Sequence, residues 1–230
     1  MSYPLVIKDN FFPDPDAIVK ASNKLQYYSS GDNWPGLRTK PLNEVNPKLF
    51  AYTGQKIFHL LHDRMPEAYT MLIGFQKTKT CIEGDKWNRK NRGWVHIDNC
   101  LFGGIIYLDK NPDKDSGTSM YKLKYGYGIQ TDQSRLVKEN HFAGKQIDDE
   151  EYNIAFDVIR NQYEETLRIP NLYNRLILIP GDQPHGVTTF GDKERNTIVF
   201  FCLDTKGVLT PELKGQCFNV PNYEVLNHFH

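Results

Sequence analysis

The segment Trp94-Val95-His96-Ile97-Asp98-Asn99-Cys100 carries the pattern from which the fold and the chemistry of this chain are inferred. Its Trp, Val and Ile residues favour an extended backbone. Residues two apart in a strand project from the same face, so the side chains of His96 and Asp98 are predicted to point to one place. A neutral imidazole and an ionised carboxylate both form at neutral pH, and both bind divalent cations. The segment therefore predicts half of a metal site.

A third candidate ligand, His185, lies far along the chain. It follows residues 180–184, Pro-Gly-Asp-Gln-Pro, which are typical of a turn, and it leads into the predicted strand 185–190. Two histidines and one carboxylate form the facial triad that holds Fe(II) and leaves coordination positions open. Open positions permit chemistry at the metal, whereas a site closed by four protein ligands is structural. We therefore expect His96, Asp98 and His185 to bind a reactive metal ion.

A candidate anion-binding group follows ten residues after His185. Arg195 begins a segment that becomes an apolar strand, and burying a guanidinium without a partner anion is costly. Thr197 shares a face of this strand with Arg195, so both side chains can hold one carboxylate. Tyr107 lies in an apolar strand after the first segment, and its phenol can donate a further hydrogen bond. These residues predict a carboxylate-binding site.

The order of these motifs resembles that of the Fe(II)- and 2-oxoglutarate-dependent dioxygenases, and in particular their prolyl-hydroxylase-like branch. The motifs are, in chain order, His96-x-Asp98, Tyr107-Leu108-Asp109, Ser116-Gly117-Thr118, Pro180-Gly181, His185 and Arg195-x-Thr197. The resemblance covers about residues 69–204. It implies a double-stranded β-helix, or jelly roll, with helices packed on its N-terminal side.

The resemblance also implies a reaction. Fe(II) would be held by His96, Asp98 and His185, and 2-oxoglutarate and dioxygen would be the cosubstrates. The distal carboxylate of 2-oxoglutarate would contact Arg195, Thr197 and Tyr107. Hydroxylation of the substrate would release succinate and CO2. The retained carboxylate of Asp98 favours hydroxylation, because related halogenases lack it so that halide can bind the iron.

The substrate is less closely defined than the reaction. The resemblance implies a peptidyl residue, such as proline, or a small molecule. Trp94 lies two residues before His96 and is a candidate to line the substrate pocket, although Trp at a strand end also serves packing. Two other functions suit the same residues. One is a cupin-like jelly-roll module that binds a ligand without turnover, and the other is a hydrolase or isomerase that uses Zn²⁺ or Mn²⁺, with Arg195 holding the substrate.

The hydrophobic pattern predicts a single domain of mainly β, α+β class. Its predicted parts are an N-terminal helical support (1–68) with helices at 14–28 and 47–62, a β core (69–204) that the resemblance implies is a jelly roll, a helical insertion in that core (about 125–170), a hairpin turn (191–193) and an irregular C-terminal tail (205–230).

The composition disfavours several classes of protein. The chain has 28 basic and 28 acidic residues, so no net charge favours binding to nucleic acid or to an anionic membrane. Neither a signal peptide nor a run of about 18 apolar residues is present. Four cysteines without a CxxC pair predict reduced thiols and a cytoplasmic location. The sequence does not indicate an oligomeric state.

Overall fold

The computed structural model describes residues 3–29, 36–125, 128 and 130–208. Most of the predicted C-terminal tail lies outside these residues, as does Cys217. Cys81, Cys100 and Cys202 are free thiols, as predicted. Within the described ranges, no helix is both long enough and apolar enough to cross a membrane. The cytoplasmic location stays a prediction.

Short N-terminal elements precede longer strands. In chain order the elements are β1 (Val6–Lys8), α1 (Pro15–Ser22), β2 (Tyr27–Ser29), β3 (Leu37–Thr39), α2 (Leu42–Val45), α3 (Pro47–Leu61), β4 (Ala68–Thr78), β5 (Phe102–Tyr107), β6 (Thr118–Leu123), α4 (Asp132–Phe142), α5 (Asp149–Arg160), β7 (Tyr163–Ile169), β8 (Leu176–Pro180), β9 (His185–Val187) and β10 (Arg195–Lys206). Single 3₁₀ turns at Arg89–Asn91 and Lys114–Ser116 precede β5 and β6, respectively.

The strands form two antiparallel sheets. The major sheet has seven strands in the order β1-β8-β5-β10-β4-β3-β2, and the minor sheet has three in the order β7-β6-β9. This is the arrangement of a jelly roll with added helices, so the predicted fold class is confirmed. The central strand is β10, which pairs with β4 on one side and with β5 on the other.

The alternation of side chains along β10 separates two hydrophobic clusters. Ile198 and Phe200 belong to the cluster that includes residues of the N-terminal helices. Val199 belongs to the cluster between the two sheets. Side chains two apart share a face, so Arg195 and Thr197 also face the space between the sheets. The candidate polar residues of β10 therefore lie on the inner face of the jelly roll.

The N-terminal segment contributes to the jelly roll itself, so a boundary at residue 68 does not separate support from core. Strands β1, β2 and β3 all join the major sheet. The helix predicted at 14–28 ends at Ser22, and Tyr27–Ser29 is a strand paired with β3. The prediction was wrong here because a strand of three residues is too short to show a hydrophobic period.

The helical insertion is shorter than predicted. It consists of α4 and α5 and ends at Arg160, because residues 163–169 form β7 and pair with β6. Tyr163 continues the apolar spacing of α5, which is why the helical region was expected to extend further. Much of β7 is exposed, and charged pairs such as Glu164 with Lys122, at 3.0 Å, replace the apolar alternation that identifies a strand.

Two further predictions about strands were wrong. The segment 94–100 is not a regular strand and forms one antiparallel bridge, between His96 and His185. The turn at 191–193 does not close a hairpin, because β9 pairs with β6 whereas β10 pairs with β4 and β5. The turn instead carries the chain from the minor to the major sheet, and Gly191 adopts a φ of 77° there.

Asn174 fastens the N-terminal segment to the jelly roll. Its Oδ1 accepts a hydrogen bond from the Phe12 N–H at 2.8 Å, and its Nδ2 donates to the Phe12 carbonyl at 2.8 Å. The residue adopts a left-handed φ of 62°. Its own N–H donates to the Tyr107 carbonyl at 2.8 Å. One residue thus joins the segment before α1, through its side chain, to the end of β5, through its backbone.

We expect Asn174→Ala to lower the free energy of unfolding by about 2–4 kcal/mol, because it leaves two backbone groups of Phe12 unsatisfied and keeps the unfavourable φ. Asn174→Gly should lose less, since glycine adopts this φ without strain. Urea denaturation followed by circular dichroism measures both changes. The control Asn161→Ala, at the exposed end of α5, should change stability by less than about 0.5 kcal/mol. A similarly small effect of Asn174→Ala would contradict this role.

Candidate metal centre and cavity

The antiparallel bridge between His96 and His185 places their two imidazoles side by side. The His96 N–H donates to the His185 carbonyl at 3.0 Å, and the His185 N–H donates back at 2.9 Å. Asp98 is held beside them because its N–H donates to the Gly181 carbonyl at 3.0 Å. A Cβ at Gly181 would lie 1.8 Å from the Cys100 carbonyl oxygen, so this close approach requires glycine.

The three predicted ligands converge on one point. Asp98 Oδ1 lies 3.6 Å from His96 Nε2, and Asp98 Oδ2 lies 3.4 Å from His185 Nε2. One ligand atom from each residue can be chosen such that all lie within 4.8 Å of one another. This spacing suits a single divalent ion, whose bonds to nitrogen and oxygen ligands are about 2 Å long.

Backbone carbonyls orient both imidazoles. His96 Nδ1 donates to the Trp94 carbonyl at 2.9 Å, and His185 Nδ1 donates to the Gln183 carbonyl at 2.9 Å. A carbonyl only accepts, so each neutral ring carries its proton on Nδ1 and leaves the Nε2 lone pair free. Such hydrogen bonds fix the tautomer and the direction of histidines that bind metals. Both rings are therefore prepared for an ion on the side that faces Asp98.

The surroundings also favour the protonation states that a metal requires. Burial, the neighbouring His185 and the charge of Lys138 all lower the pKa of His96, whose exposed part faces the cavity. Burial alone would raise the pKa of Asp98, but the hydrogen bond and charge of a protonated His185, the charge of a protonated His96 and the charge of Arg38 lower it below the usual value. A neutral imidazole and an ionised carboxylate result at neutral pH.

The metal centre and Arg195 line one cavity of about 300 Å³. Ligand pockets in proteins begin at about this volume. Both sheets and helix α4 contribute to its wall, including the residues Arg38, Thr118, Lys138, Phe142, Arg195 and Phe201. A small organic molecule can therefore reach both the candidate metal ligands and the guanidinium.

Arg195 is buried without a full set of hydrogen bonds. Its exposed fraction is 4%, its Nη1 donates to the Ser116 carbonyl at 3.0 Å, and its Nε has no hydrogen-bond partner among the described residues. Burial lowers the pKa of Arg195, and the nearby Tyr107 and Asp109 oppose this change. A guanidinium nevertheless stays charged in proteins. The incomplete bonding of a buried cation in a cavity wall suits an anionic ligand.

The structure places the two predicted helpers of Arg195 differently from expectation. Tyr107 and Thr197 are paired across β5 and β10 on the inner face, but neither lines the cavity. The Thr197 hydroxyl lies 3.4 Å from the Gln76 carbonyl. The Tyr107 hydroxyl lies 2.7 Å from Thr118 Oγ1, and Thr118 lines the cavity. The resemblance included Thr118 in its Ser116-Gly117-Thr118 motif, but Thr118 was not predicted to be part of the carboxylate-binding site.

Packing accounts for the side chain of Trp94. Its indole N–H donates to the Tyr152 hydroxyl at 3.1 Å. The rings of Tyr152 and Phe156 meet the indole edge-on, with centroid distances of 5.6 and 5.4 Å. Trp94 therefore anchors α5 of the insertion beside the metal centre, and its carbonyl orients His96. A contact with substrate stays a prediction.

Two cations of the cavity wall were not predicted from the sequence. Arg38 lies on β3 and Lys138 lies on α4. Neither belongs to a recognisable motif. Their positions follow from the pairing of β3 with β4 and from the docking of α4 on α5.

Comparisons with known proteins agree with the architecture. No protein-family model matches the sequence, and no curated protein is significantly similar to it. One similar structure is HygX from Streptomyces hygroscopicus, which was solved with nickel, 2-oxoglutarate and hygromycin B bound. Its sequence is 9% identical to this chain. The two structures have a TM-score of 0.55, and the match covers 91% of this chain and 86% of HygX. EvdO2 from Micromonospora carbonacea var. aurantiaca, complexed with 2-oxoglutarate, is 11% identical and has a TM-score of 0.54 over 92% of this chain and 91% of EvdO2.

The chain has the jelly-roll fold of these 2-oxoglutarate-binding proteins. A prolyl-4-hydroxylase from Pseudomonas putida is also similar, at 11% identity over 90% of this chain and 94% of that protein, but its TM-score is 0.41. The similarity therefore does not assign the chain to the prolyl-hydroxylase-like branch.

We expect Arg195→Met to leave the free energy of unfolding of the ligand-free protein unchanged or to raise it by about 1–3 kcal/mol, because methionine needs no hydrogen-bond partner. The control is Arg175→Met. Arg175 donates to Asp9 at 2.6 and 2.9 Å, and its loss should lower stability by about 1 kcal/mol. Urea denaturation measures both variants. If Arg195→Met lost more than about 3 kcal/mol, the guanidinium would serve the fold and not a ligand.

Proposed function

We propose that this protein is a non-haem Fe(II)- and 2-oxoglutarate-dependent oxygenase that hydroxylates its substrate and releases succinate and CO2. One observation carries the proposal. Two imidazoles and a carboxylate face the same small cavity as a buried guanidinium with an unsatisfied N–H. A cosubstrate with a keto-acid at one end and a carboxylate at the other matches both features. The jelly-roll fold, shared with proteins solved with 2-oxoglutarate, supports the same reading.

Three residues of the centre would bind the metal ion. His96, Asp98 and His185 would hold Fe(II), which supplies the activation of dioxygen when bound. Asp98 occupies the carboxylate position of the triad, which supports hydroxylation over halogenation. The carbonyl-bound Nδ1 atoms would keep both rings directed at the ion. The protein thus needs no rearrangement of these rings to bind it.

Arg195 would hold the distal carboxylate of 2-oxoglutarate. A guanidinium binds a carboxylate through its planar fork, and the unsatisfied Nε would gain a partner. The Thr118 hydroxyl would add a hydrogen bond from the cavity wall. Tyr107, which touches Thr118, would orient that hydroxyl instead of contacting the cosubstrate directly. Thr197 lies on the same inner face, and its contact with 2-oxoglutarate stays a prediction.

We favour a small molecule, or one side chain of a peptide, as the substrate. The cavity of about 300 Å³ must also hold the cosubstrate, so little room remains for a larger group. Helix α4 contributes Lys138 and Phe142 to the wall, so the insertion shapes the remaining space. HygX, which shares the fold, was solved with hygromycin B bound.

Anaerobic titration with Fe(II), with and without 2-oxoglutarate, tests the proposal. We expect a weak visible charge-transfer band only when protein, Fe(II) and 2-oxoglutarate are all present, because the cosubstrate must chelate the bound iron. A cupin-like binding module or an enzyme that uses Zn²⁺ or Mn²⁺ would give no such band. Absence of the band together with tight Zn²⁺ binding would contradict the oxygenase assignment.

Two variants of the same titration separate the two halves of the site. Asp98→Ala should lose Fe(II) binding first, because it removes one of three ligands. Arg195→Met should keep Fe(II) affinity and weaken 2-oxoglutarate by about tenfold or more, because it removes a charge-assisted contact to the distal carboxylate. The control Arg168→Met, on β7, should change neither affinity. An equal loss of Fe(II) affinity in Arg195→Met would contradict the role of Arg195.

A further inference from the structure

We propose that the side chain of Gln183 positions His185 for the metal ion, because it supplies to the minor sheet a hydrogen bond that Pro184 cannot donate. This inference rests on the metal centre of the proposed function and adds a positioning residue to it. Gln183 does not line the cavity. Its effect on a metal ion would therefore pass through the imidazole of His185.

The pairing of β6 with β9 ends at a residue of the metal centre. Its last paired residues are Met120 and His185. One step further along this register, the Tyr121 N–H donates to the Pro184 carbonyl at 2.9 Å. In an antiparallel pair of this kind, the second residue normally returns a hydrogen bond. Proline has no N–H, so the Tyr121 carbonyl cannot receive that bond from the opposite backbone.

The side-chain amide of Gln183 takes the place of the missing donor. Its Nε2 donates to the Tyr121 carbonyl at 2.8 Å and to the Pro184 carbonyl at 3.0 Å. A side-chain amide has two N–H groups, one for each of these carbonyls. The amide therefore completes the pair of Tyr121 and Pro184, and it extends the hydrogen bonding of the minor sheet by one step beyond β9.

The backbone of the same residue holds the imidazole. The Gln183 carbonyl accepts the hydrogen bond from His185 Nδ1 at 2.9 Å. This carbonyl belongs to the peptide group between Gln183 and Pro184, which has a tether on each side. One tether is the Gln183 amide, and the other is the Tyr121 N–H that binds the Pro184 carbonyl. Holding the Gln183 carbonyl in place fixes the tautomer and the direction of His185.

The backbone N–H of Gln183 does not serve as this tether. It is used inside the turn before β9, where it donates to the Pro180 carbonyl at 3.1 Å. The side chain is therefore the group that ties Gln183 itself to β6. The corresponding carbonyl for His96 is that of Trp94, whose indole is anchored on Tyr152 of α5. Each carbonyl that orients an imidazole thus belongs to a residue whose own side chain is hydrogen-bonded to another element.

Gln183→Met tests the inference, because methionine has a similar length and no N–H. Isothermal titration calorimetry with Ni(II) should show about tenfold weaker binding to the variant, as expected when a group that orients a metal ligand is lost. Long-range ¹H–¹⁵N NMR of the metal-free protein at about pH 8, above the ordinary pKa of histidine, shows which nitrogen of His185 carries the proton. We expect Nδ1–H in the wild-type protein and a mixture of Nδ1–H and Nε2–H in the variant.

Pro184→Ala supplies a rescue, because it restores a backbone N–H opposite the Tyr121 carbonyl. In that background Gln183→Met should weaken Ni(II) binding by less than about threefold, so the two substitutions are not additive. The matched control is Gln162→Met, which removes an amide that donates to the Val158 carbonyl at 2.7 Å and should change neither measurement. Circular dichroism and urea denaturation check the fold of each variant. If Gln183→Met alone does not fold, the double variant is compared with Pro184→Ala by the same two measurements.

Several results would overturn the inference. If Gln183→Met lowered the stability to urea but left the Ni(II) affinity and the His185 tautomer unchanged, Gln183 would serve only the fold. An equal loss of Ni(II) affinity with and without Pro184→Ala would show that the amide does not replace the missing N–H. Failure of the wild-type protein to bind Ni(II) would contradict the proposed function itself. The His185 tautomer is measured without metal, so the two failures are distinguishable.

Discussion

The bridge between His96 and His185 is the interaction on which the candidate site depends. It ties an otherwise irregular segment to strand β9, and it sets the distance between two imidazoles that are 89 positions apart in the chain. Glycines on both sides allow the approach, since a Cβ at Gly93 would lie 2.4 Å from the Val187 nitrogen. A Cβ at Gly186 would lie 2.9 Å from the Trp94 carbonyl oxygen. Backbone geometry, and not side-chain packing, thus holds the two rings together.

Burial of charge is the second constraint. Arg195 is almost completely enclosed and has an N–H without a partner among the described residues. Such a group destabilises a protein unless a ligand supplies the missing interaction. Arg38 and Lys138 line the same cavity. The guanidinium of Arg195 therefore suits an anionic ligand better than it suits the folded protein alone.

The sequence predicted the parts of the site that lie in short motifs. His96 and Asp98 are two residues apart, His185 follows a turn rich in proline and glycine, and Arg195 stands at the start of an apolar strand. The structure brings the first three together and places Arg195 in the same cavity. Several of the longer strands and the helical insertion also follow from hydrophobic patterns, because they span several periods.

The rest of the structure depends on contacts between distant segments, which one sequence does not reveal. Arg38 enters the cavity through a strand of three residues, and Lys138 does so from a largely polar helix. Thr118 lines the cavity, whereas Tyr107 contacts Thr118 and does not line the cavity, although both have polar groups on the inner face. Strand β7 was read as helical because its cross-strand partners are charged. For Arg38 and for β7 the deciding neighbour lies far away in the chain.

The most direct test of this account is the conversion of 2-oxoglutarate to succinate by the purified protein with Fe(II) in air. If the protein is the proposed oxygenase, succinate forms and an equal amount of oxygen is consumed. Asp98→Ala should abolish succinate formation and oxygen consumption. The account would be contradicted if the protein bound Fe(II) and 2-oxoglutarate but formed no succinate, or if Asp98→Ala formed it at the rate of the wild-type protein.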